Sequence, residues 1–248
     1  MYRFYIEPDR IFENKIEITG DDVNHIKNVL RMKQGEKIIL CDKAGTDYLC
    51  SLSESRDRSL FADILEKKPS ETELPVELIL FQGLPKKDKM ELIIQKAVEL
   101  GASKIIPVVT KRTIVKTDEG KEDKKLTRWQ AIAESAAKQS ERGIIPEVGQ
   151  ILTFKEALAQ MKNIDYNGIL YENARGMAPT REFVANAAGK KSVGIFVGPE
   201  GGFTEEEVAA VVENGAECLS LGKRILRTET AGFAMLSMLM LAIECNGQ

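Results

Sequence analysis

Two glycine-bearing segments near the end of the chain hold the residues most able to form a ligand site. They are Phe196-Val-Gly-Pro-Glu-Gly-Gly-Phe-Thr204 and Leu219-Ser-Leu-Gly-Lys-Arg-Ile-Leu-Arg-Thr-Glu-Thr-Ala-Gly232, and each continues an apolar run typical of a strand. Open α/β sheets bind ligands beyond the carboxyl ends of their strands. The glycines are equally compatible with ordinary strand-to-helix turns. Both segments are therefore candidates for a site whose ligand has to be inferred from their chemistry.

The spacing of the glycines argues against a phosphate-binding loop. The chain has 19 glycines, no two of them separated by a single residue, and it lacks a G-x-x-x-x-G-K-[ST] motif. The helix after Gly202 is predicted to begin with a capping box of Thr204 and Glu207. The carboxylates in that first turn would repel a phosphate. S-Adenosylmethionine, which has a positive sulfonium and no phosphate, fits these constraints better.

Composition indicates a protein without a secretory leader. The chain has 248 residues and a net charge of −3, and its four cysteines form no C-x-x-C motif. The first residues lack the apolar core of a signal peptide, so we expect a cytoplasmic protein with reduced thiols.

Residues 86–142 hold 14 Lys/Arg and 9 Asp/Glu, a net charge of +5. That basic stretch predicts either solvated helix faces or contacts with a phosphate backbone.

The first part of the chain has the pattern of a small β-barrel. Short alternating strands are predicted at Tyr2–Ile6, Lys15–Ile18, Lys37–Cys41, Asp47–Ser53 and Leu60–Leu65. A helix is predicted at Asp21–Met32. The proline-bearing segment Lys67–Pro75 is the best candidate for a linker.

From Val76 onward, strands alternate with helices, which predicts a parallel sheet covered on both faces. Strands are predicted at Val76–Phe81, Ile105–Val109, Gly168–Tyr171, Val193–Val197 and Cys218–Leu221. Helices are predicted at Asp88–Leu100, Lys124–Ser140, Phe154–Met161, Arg181–Ala188, Thr204–Glu213 and Thr230–Glu244, with a charged loop at Thr117–Lys125. The last helix is apolar nearly all round, which predicts burial on every side, with a partner subunit over its outer face. Its apolar segment Ala231–Ile243 is too short to span a membrane.

The order of several motifs resembles one family over essentially the whole chain. The family is the RsmE-type 16S ribosomal RNA uridine-N3 methyltransferases, of the SPOUT class. The motifs are Arg3-Phe4-Tyr5, His25-Ile-Lys-Asn-Val-Leu-Arg31, Gln82-Gly-Leu-Pro-Lys-Lys-Asp-Lys-Met90, Gln95-Lys-Ala-Val-Glu-Leu-Gly101, Glu134-Ser-Ala-Ala-Lys-Gln-Ser-Glu-Arg142, Gly198-Pro-Glu-Gly-Gly-Phe203 and Leu221-Gly-Lys-Arg-Ile-Leu-Arg-Thr-Glu-Thr-Ala231. Lys138 and Glu141 replace a glutamate and a glycine that the family commonly has in the fifth motif.

The resemblance implies a fold, a reaction and partners. It implies a PUA-like RNA-binding β-barrel (1–70), a linker (71–75) and an α/β parallel-sheet SPOUT domain with a deep trefoil knot (76–248). The implied reaction is S-adenosylmethionine-dependent methylation of N3 of a uridine in the 16S rRNA of the small ribosomal subunit. The implied assembly is a homodimer through the C-terminal domain, and neither a metal nor a membrane is expected.

Site residues also follow from the resemblance. Those expected around the cofactor are Gly198, Glu200, Gly201, Leu221, Gly222, Ile225, Leu226, Arg227, Thr230 and Ala231. Arg227 or Arg224 is expected to hold the uracil oxygens, and Glu229 is either a base or a helix-start carboxylate. Thr230 is also a candidate N-cap. RNA contacts are expected from Arg3, His25, Arg31, Lys86, Lys89, Gln139 and Arg142.

Two other functions are compatible with the residues. Another SPOUT reaction, such as ribose 2′-O or guanine-N1 methylation, would use the same cofactor site but is disfavoured by the motifs in residues 82–142. A non-catalytic RNA-binding protein would not need the final motif, which is intact here.

Overall fold

The computed structural model describes residues 1–56, 58–114 and 119–246. These residues divide into two compact units, Met1–Glu73 with Ala137–Ile145, and Leu74–Ala136 with Pro146–Gln248. The inclusion of 137–145 in the first unit was not indicated by the sequence.

The first unit is built on a five-stranded sheet. Its elements are β1 (Arg3–Tyr5), β2 (Lys15–Thr19), α1 (Asp21–Asn24), β3 (Lys37–Cys41), β4 (Thr46–Ser55) and β5 (Ser59–Pro69). The strand order is β1-β3-β4-β5-β2, and every pair is antiparallel except β1 with β3. All five strands and α1 contribute to one apolar core that includes Ile16, Ile38 and Leu52. The strands thus form a barrel-like sheet, although no ladder joins β1 to β2 in the described part.

Two details of this unit differ from the predictions. The predicted helix Asp21–Met32 ends early, because α1 continues only as a π-helical turn at His25–Val29. The predicted linker Lys67–Pro75 is partly strand, since β5 pairs with β4 as far as Pro69.

The segment 137–145 is attached to the barrel-like sheet by buried polar contacts. The Tyr5 hydroxyl donates to the carbonyl oxygens of Ala137, at 3.0 Å, and of Arg142. The Arg142 guanidinium pairs with Glu73, whose carboxylate also accepts from the backbone N–H of Gly143 at 2.8 Å. Burial raises the pKa of Tyr5, so its hydroxyl stays protonated and able to donate.

The second unit is an α/β sheet whose strands are all parallel. Its elements are β6 (Glu77–Gly83), α2 (Lys89–Glu99), β7 (Ala102–Val109), α3 (Glu119–Gln139), β8 (Glu147–Val148), β9 (Leu152–Thr153), α4 (Phe154–Met161), β10 (Tyr166–Leu170), α5 (Ala178–Ala187), β11 (Ser192–Val197), α6 (Glu205–Glu213), β12 (Glu217–Leu219) and α7 (Thr228–Asn246). The order is β12-β10-β11-β6-β7-β8, with β9 beside β7. The predicted parallel sheet is confirmed.

The core of this unit explains its strand composition. Every residue of β11 is buried, as expected for a strand covered by helices on both faces. Phe196 of β11 stacks on Phe81 of β6 with ring centroids 4.3 Å apart. The predicted charged loop Thr117–Lys125 is wrong from Glu119 onward, where α3 begins; Thr117 and Asp118 lie outside the described residues.

Within a single chain, the last helix is buried on one side. Met235, Leu236, Leu239 and Ile243 are buried on one side, and α7 packs on α2 and α5. On the other side, Leu241 is 61% exposed, so a single chain does not cover this face, and its cover by a partner subunit stays a prediction. By length and composition alone, the window Thr228–Cys245 is long and apolar enough to cross a membrane, but core helices of soluble proteins meet the same test. The helix therefore carries an uncovered apolar face.

Candidate active site

The carboxyl ends of β10, β11 and β12 meet at one edge of the parallel sheet and surround a cavity of about 570 Å³. Its wall comes from the residues that follow these strands and from the start of α7. The lining residues are Lys89, Leu170, Tyr171, Glu172, Val197, Gly198, Pro199, Glu200, Gly201, Gly202, Leu219, Ser220, Leu221, Gly222, Arg224, Ile225, Leu226, Arg227, Thr228 and Ala231. The two glycine-bearing segments therefore come together.

The turn after β11 depends on glycine at two points of close approach. A Cβ on Gly83 would lie 2.5 Å from Cδ of Pro199, so only glycine fits at this end of β6, where it passes the turn. Gly202 has a φ of +68°, a left-handed conformation that favours glycine. We infer that this turn requires glycine for its shape as well as for access to a ligand.

The predicted capping box at the start of α6 is confirmed. The Glu207 backbone N–H donates to Oγ1 of Thr204, and the Glu207 carboxylate accepts from the Thr204 backbone N–H at 2.9 Å. The same carboxylate accepts from the backbone N–H of Lys111 at 2.7 Å. This helix end is thus occupied by its own carboxylate and is closed to a phosphate.

The segment between β12 and α7 forms the opposite wall. Ser220 is held by Thr180, whose hydroxyl donates to the Ser220 carbonyl at 2.7 Å. Beyond it Leu221 and Leu226 are half-buried, while Ile225 is 87% exposed. The Arg224 and Arg227 side chains are exposed and form no hydrogen bond or ion pair within the described residues. Both are available to a substrate at the mouth of the cavity.

Helix α7 begins at Thr228, two residues before the predicted start. Thr230 lies exposed in the first turn and does not line the cavity, so it is neither N-cap nor part of the wall. Thr228, the first residue of α7, lines the cavity and is buried beside Gly198.

Three carboxylates near the cavity have different surroundings. Glu200 accepts from the backbone N–H of Lys86 at 3.1 Å and pairs with the Lys89 ammonium at 3.3 Å. Partial burial raises the pKa of Glu200, but the hydrogen bonds from backbone N–H groups and from Lys89 outweigh it and leave that pKa lowered. Glu229 lies 3.2 Å from the same ammonium and does not line the cavity, which favours the helix-start role. Glu172 lines the cavity and forms no side-chain ion pair within the described residues.

The predicted RNA contacts fall into two groups. His25, Arg31, Lys86 and Gln139 are exposed, and Lys89 is partly exposed at the cavity. Arg3 and Arg142 are buried in the first unit, where they pair with Asp47 and Glu73. A buried, paired guanidinium is not free to take a phosphate, and this corrects the expectation for these two residues.

Comparison with known proteins identifies the family. A family model described as an RNA methyltransferase domain matches residues 72–240, and one described as an RNA methyltransferase PUA domain matches residues 18–65. This chain is a member of the RNA methyltransferase family. As the resemblance implied, it combines the methyltransferase domain with a PUA-like domain.

Named members of the RNA methyltransferase family match over nearly the whole chain. The Ribosomal RNA small subunit methyltransferase E of Bacillus subtilis is 38% identical, with 96% of this chain and 95% of that protein covered. The crystal structure of the enzyme of the same name from Neisseria gonorrhoeae, bound to S-adenosyl methionine, is 34% identical with a TM-score of 0.80, and 97% of each chain is covered. A putative methyltransferase from Legionella pneumophila in complex with the same cofactor is 32% identical with a TM-score of 0.78, again over 97% of each chain.

The sequence did not single out Glu172 and Thr228 of the cavity wall, nor Gln82 beside it. Glu172 follows β10, and the end of that strand was the available signal. Thr228 lies inside the final motif, and Gln82 begins the third one, yet neither motif shows which side chains meet. Gln82 and Thr228 are 146 residues apart and are joined by a hydrogen bond of 2.8 Å.

Proposed function

We propose that this RNA methyltransferase uses S-adenosylmethionine to methylate N3 of a uridine in 16S rRNA of the small ribosomal subunit. The observation that carries the proposal is the cavity at the sheet edge, with two exposed arginines at its mouth. The relatives that are named for rRNA of the small subunit, and the related structures bound to the cofactor, support it.

The residues of the cavity fit this cofactor. A volume of about 570 Å³ lies within the range of pockets that enclose such molecules. Leu221 and Leu226 offer apolar surface for a base, while the glycines expose backbone groups. The negative carboxylate of Glu172 suits a positive sulfonium or ammonium, and the carboxylate-capped start of α6 does not suit a phosphate.

We assign the cofactor to the predicted residues that line the cavity, which excludes Thr230. The set is Gly198, Glu200, Gly201, Leu221, Gly222, Ile225, Leu226, Arg227 and Ala231. Gly198 and Gly201 let backbone approach the ligand. Glu200 acts mainly within the protein, since its carboxylate is bound to Lys86 and Lys89.

The chain's own contribution to the reaction is positioning and charge stabilisation. When bound, the cofactor supplies a methyl group already activated on a sulfonium. The proton on uracil N3 must pass to a base, which solvent water can supply at the open mouth of the cavity, and negative charge then develops on the two exocyclic carbonyl oxygens of the uracil. We assign Arg224 and Arg227 to those oxygens, and the assignment is supported by their unpaired guanidinium groups within the described residues and by their position in the cavity wall. Glu229 stabilises the start of α7 and pairs with Lys89.

RNA binding is assigned to the exposed members of the predicted set. His25 and Arg31 lie on the first unit, Lys86 and Lys89 precede or begin α2, and Gln139 ends α3. Arg31 and Lys86 can each neutralise a phosphate, whereas the Lys89 ammonium is already paired with Glu200 and Glu229. The target base must leave its stack to reach the cavity.

The assembly and the knot are parts of the same proposal. The uncovered apolar face of α7, with Leu241, supports a homodimer through the second unit. The bond between Thr228 and Gly198, which ties the start of α7 to the turn after β11, is compatible with a chain threaded as a trefoil knot. We propose a cytoplasmic enzyme that acts without a membrane or a metal.

The test is transfer of tritium from labelled S-adenosylmethionine to small ribosomal subunits from a strain that lacks the gene, followed by nucleoside analysis. We expect label in 3-methyluridine, and we expect Arg224→Ala and Arg227→Ala to lower the turnover by about 10- to 100-fold. Lys223→Ala is the matched control, since Lys223 is exposed and does not line the cavity. Label in another nucleoside would refute the N3 assignment, and a non-catalytic RNA-binding protein would give no label.

A further inference from the structure

A single buried hydroxyl joins three separate segments beside the cavity. The Thr228 hydroxyl donates to the carbonyl oxygen of Gly198 at 2.6 Å, and Nε2 of Gln82 donates to Oγ1 of Thr228 at 2.8 Å. The same Nε2 donates to the carbonyl oxygen of Gly83 at 2.9 Å. Gln82 is fully buried and Thr228 nearly so. The end of β6, the turn after β11 and the start of α7 are thereby held together.

The direction of each hydrogen bond follows from the groups present. The carbonyl of Gly198 can only accept, so the one proton of the Thr228 hydroxyl is committed to it. The hydroxyl oxygen is then left to accept, and the carbonyl of Gly83 also requires a donor. Both acceptors, the Thr228 hydroxyl oxygen and the Gly83 carbonyl oxygen, receive a hydrogen bond only when the amide nitrogen of Gln82 points toward them. The arrangement therefore has one consistent orientation.

The remaining atom of Gln82 indicates what this side chain is for. Its Oε1 is buried and has no hydrogen-bond partner among the described residues. A buried acceptor without a partner is unfavourable, and an apolar side chain of similar length would avoid it. The value of glutamine at this position thus lies in its two N–H donors, which serve Thr228 and Gly83.

We propose that Gln82 and Thr228 are positioning residues that fix the Gly198 carbonyl and, through it, the turn that forms one wall of the cavity. The turn is tight, because a Cβ on Gly198 would lie 3.0 Å from Gly202. A rotated Gly198 peptide would therefore displace the residues on both sides of it. The proposal rests on the proposed function in that the ligand of this wall is taken to be S-adenosylmethionine.

The experiment is isothermal titration of S-adenosylmethionine into the full chain and its variants. Thr228→Val keeps the shape of the side chain and removes the hydroxyl, and Gln82→Met removes the amide. Each is expected to weaken cofactor binding by about tenfold. Thr228→Ser, which retains the hydroxyl, is expected to remain within about twofold of the wild type. Since both residues serve one carbonyl, the double variant is expected to bind no more weakly than about the poorer single variant.

A control separates positioning from general loss of stability. Thr153→Ala removes the N-cap of α4, which lies in the same unit and does not line the cavity. It is expected to lower the unfolding midpoint, as the other variants do, while leaving the cofactor Kd unchanged. In turnover assays the positioning variants are expected to raise the cofactor KM more than they lower kcat.

The outcomes distinguish the inference from the proposed function. A wild type that binds no S-adenosylmethionine would refute the proposed cofactor itself. If the wild type binds and Thr228→Val binds equally well, the positioning role is wrong. It is equally wrong if Thr153→Ala weakens binding as much as Thr228→Val does, or if Thr228→Ser fails to restore it.

Discussion

At the scale of single residues, Glu172 gives the cavity a negative charge that enters no ion pair within the described part of the chain. Its carboxylate lies so close to the turn after β11 that a Cβ on Gly202 would be 2.6 Å from Oε1. Glu200, by contrast, is engaged by Lys86 and Lys89. Glu172 is therefore the residue best placed to favour a positively charged ligand over a neutral one.

This difference leads to a prediction for Glu172→Gln. The affinity for S-adenosylmethionine is expected to fall about fivefold, equivalent to about 1 kcal/mol for one screened charge pair. The affinity for S-adenosylhomocysteine, whose sulfur is uncharged, is expected to fall less. Titration calorimetry with both compounds measures the ratio, and Glu213→Gln, at the exposed end of α6, is the control. An equal loss for both compounds would contradict the charge argument.

Burial of Cys50 predicts a pH dependence of stability. Burial raises the pKa of the Cys50 thiol from 9.0 to about 12, with a smaller contribution from Asp63. Because the pKa of Cys50 in the folded protein lies above that in the unfolded chain, ionisation of the thiol favours unfolding. The unfolding free energy is therefore unaffected by this thiol below pH 9 and falls as the pH rises toward 12. Between pH 8 and 10.5 the thiol is expected to cost the wild type about 2 kcal/mol of unfolding free energy.

Urea unfolding at both pH values measures this loss. Cys50→Ser is the matched variant, because serine has a similar size and does not ionise in this range. Its unfolding free energy is expected to fall by about 2 kcal/mol less than that of the wild type over the same interval. Equal losses in the two proteins would show that Cys50 does not contribute.

At the scale of elements, the position of the cavity depends on how closely β6 passes the turn after β11. A Cβ on Gly83 would meet Cδ of Pro199 at 2.5 Å and its backbone nitrogen at 2.6 Å. Neither the proline ring nor the backbone can move away cheaply. The register of β6 against β11 thus fixes where the wall of the cavity begins.

We predict that Gly83→Ala lowers the unfolding free energy by about 1–3 kcal/mol and weakens cofactor binding, because the added methyl must displace the turn. The matched substitution is Gly120→Ala in α3, where the added methyl would meet nothing within 4 Å. That change is expected to stabilise the protein by about 0.5–1 kcal/mol. Denaturant unfolding and titration calorimetry on both variants check the prediction. A Gly83→Ala protein as stable as the wild type would be evidence against the close approach.

The elements were predictable from the sequence to a greater extent than the site. Hydrophobic periodicity located the six helices and five of the seven strands of the second unit, and missed the two-residue strands β8 and β9. The capping box is a local signal that two residues, Thr204 and Glu207, suffice to specify. The end of α1 was missed because a π-helical turn has no distinct pattern. The partners of Arg3 and Arg142 were missed because ion pairs across a fold depend on tertiary packing. The contact between Gln82 and Thr228 was hidden for the same reason.

At the scale of the whole molecule, a single chain leaves one side of α7 exposed, the side for which the sequence predicted a partner subunit. Thr228, Met235 and Leu239 face the inside, while Leu241 faces out. A single chain therefore leaves apolar surface uncovered, which supports the proposed dimer.

We predict that Leu241→Glu shifts the protein from dimer to monomer, since a charge in the centre of an apolar contact is costly to bury. Sedimentation velocity over a range of concentrations measures the change. Val212→Glu is a control for the added charge alone, because Val212 is also an exposed apolar residue but lies on α6. A wild type that sediments as a monomer at all concentrations would refute the dimer, and an unchanged dimer in Leu241→Glu would place its interface elsewhere.

The first unit is formed by two separate segments of the chain, and this affects when it can fold during synthesis. Tyr5 and Glu73 are made early, but their partners in residues 137–145 leave the ribosome only after 72 further residues (145 − 73) have been added. At about 5–20 residues per second, that interval lasts about 4–14 s. Throughout it, the nascent barrel-like sheet lacks the carbonyl acceptors of Tyr5 and the cation that neutralises Glu73. The N-terminal unit is thus begun first but completed only when more than half of the chain has been translated.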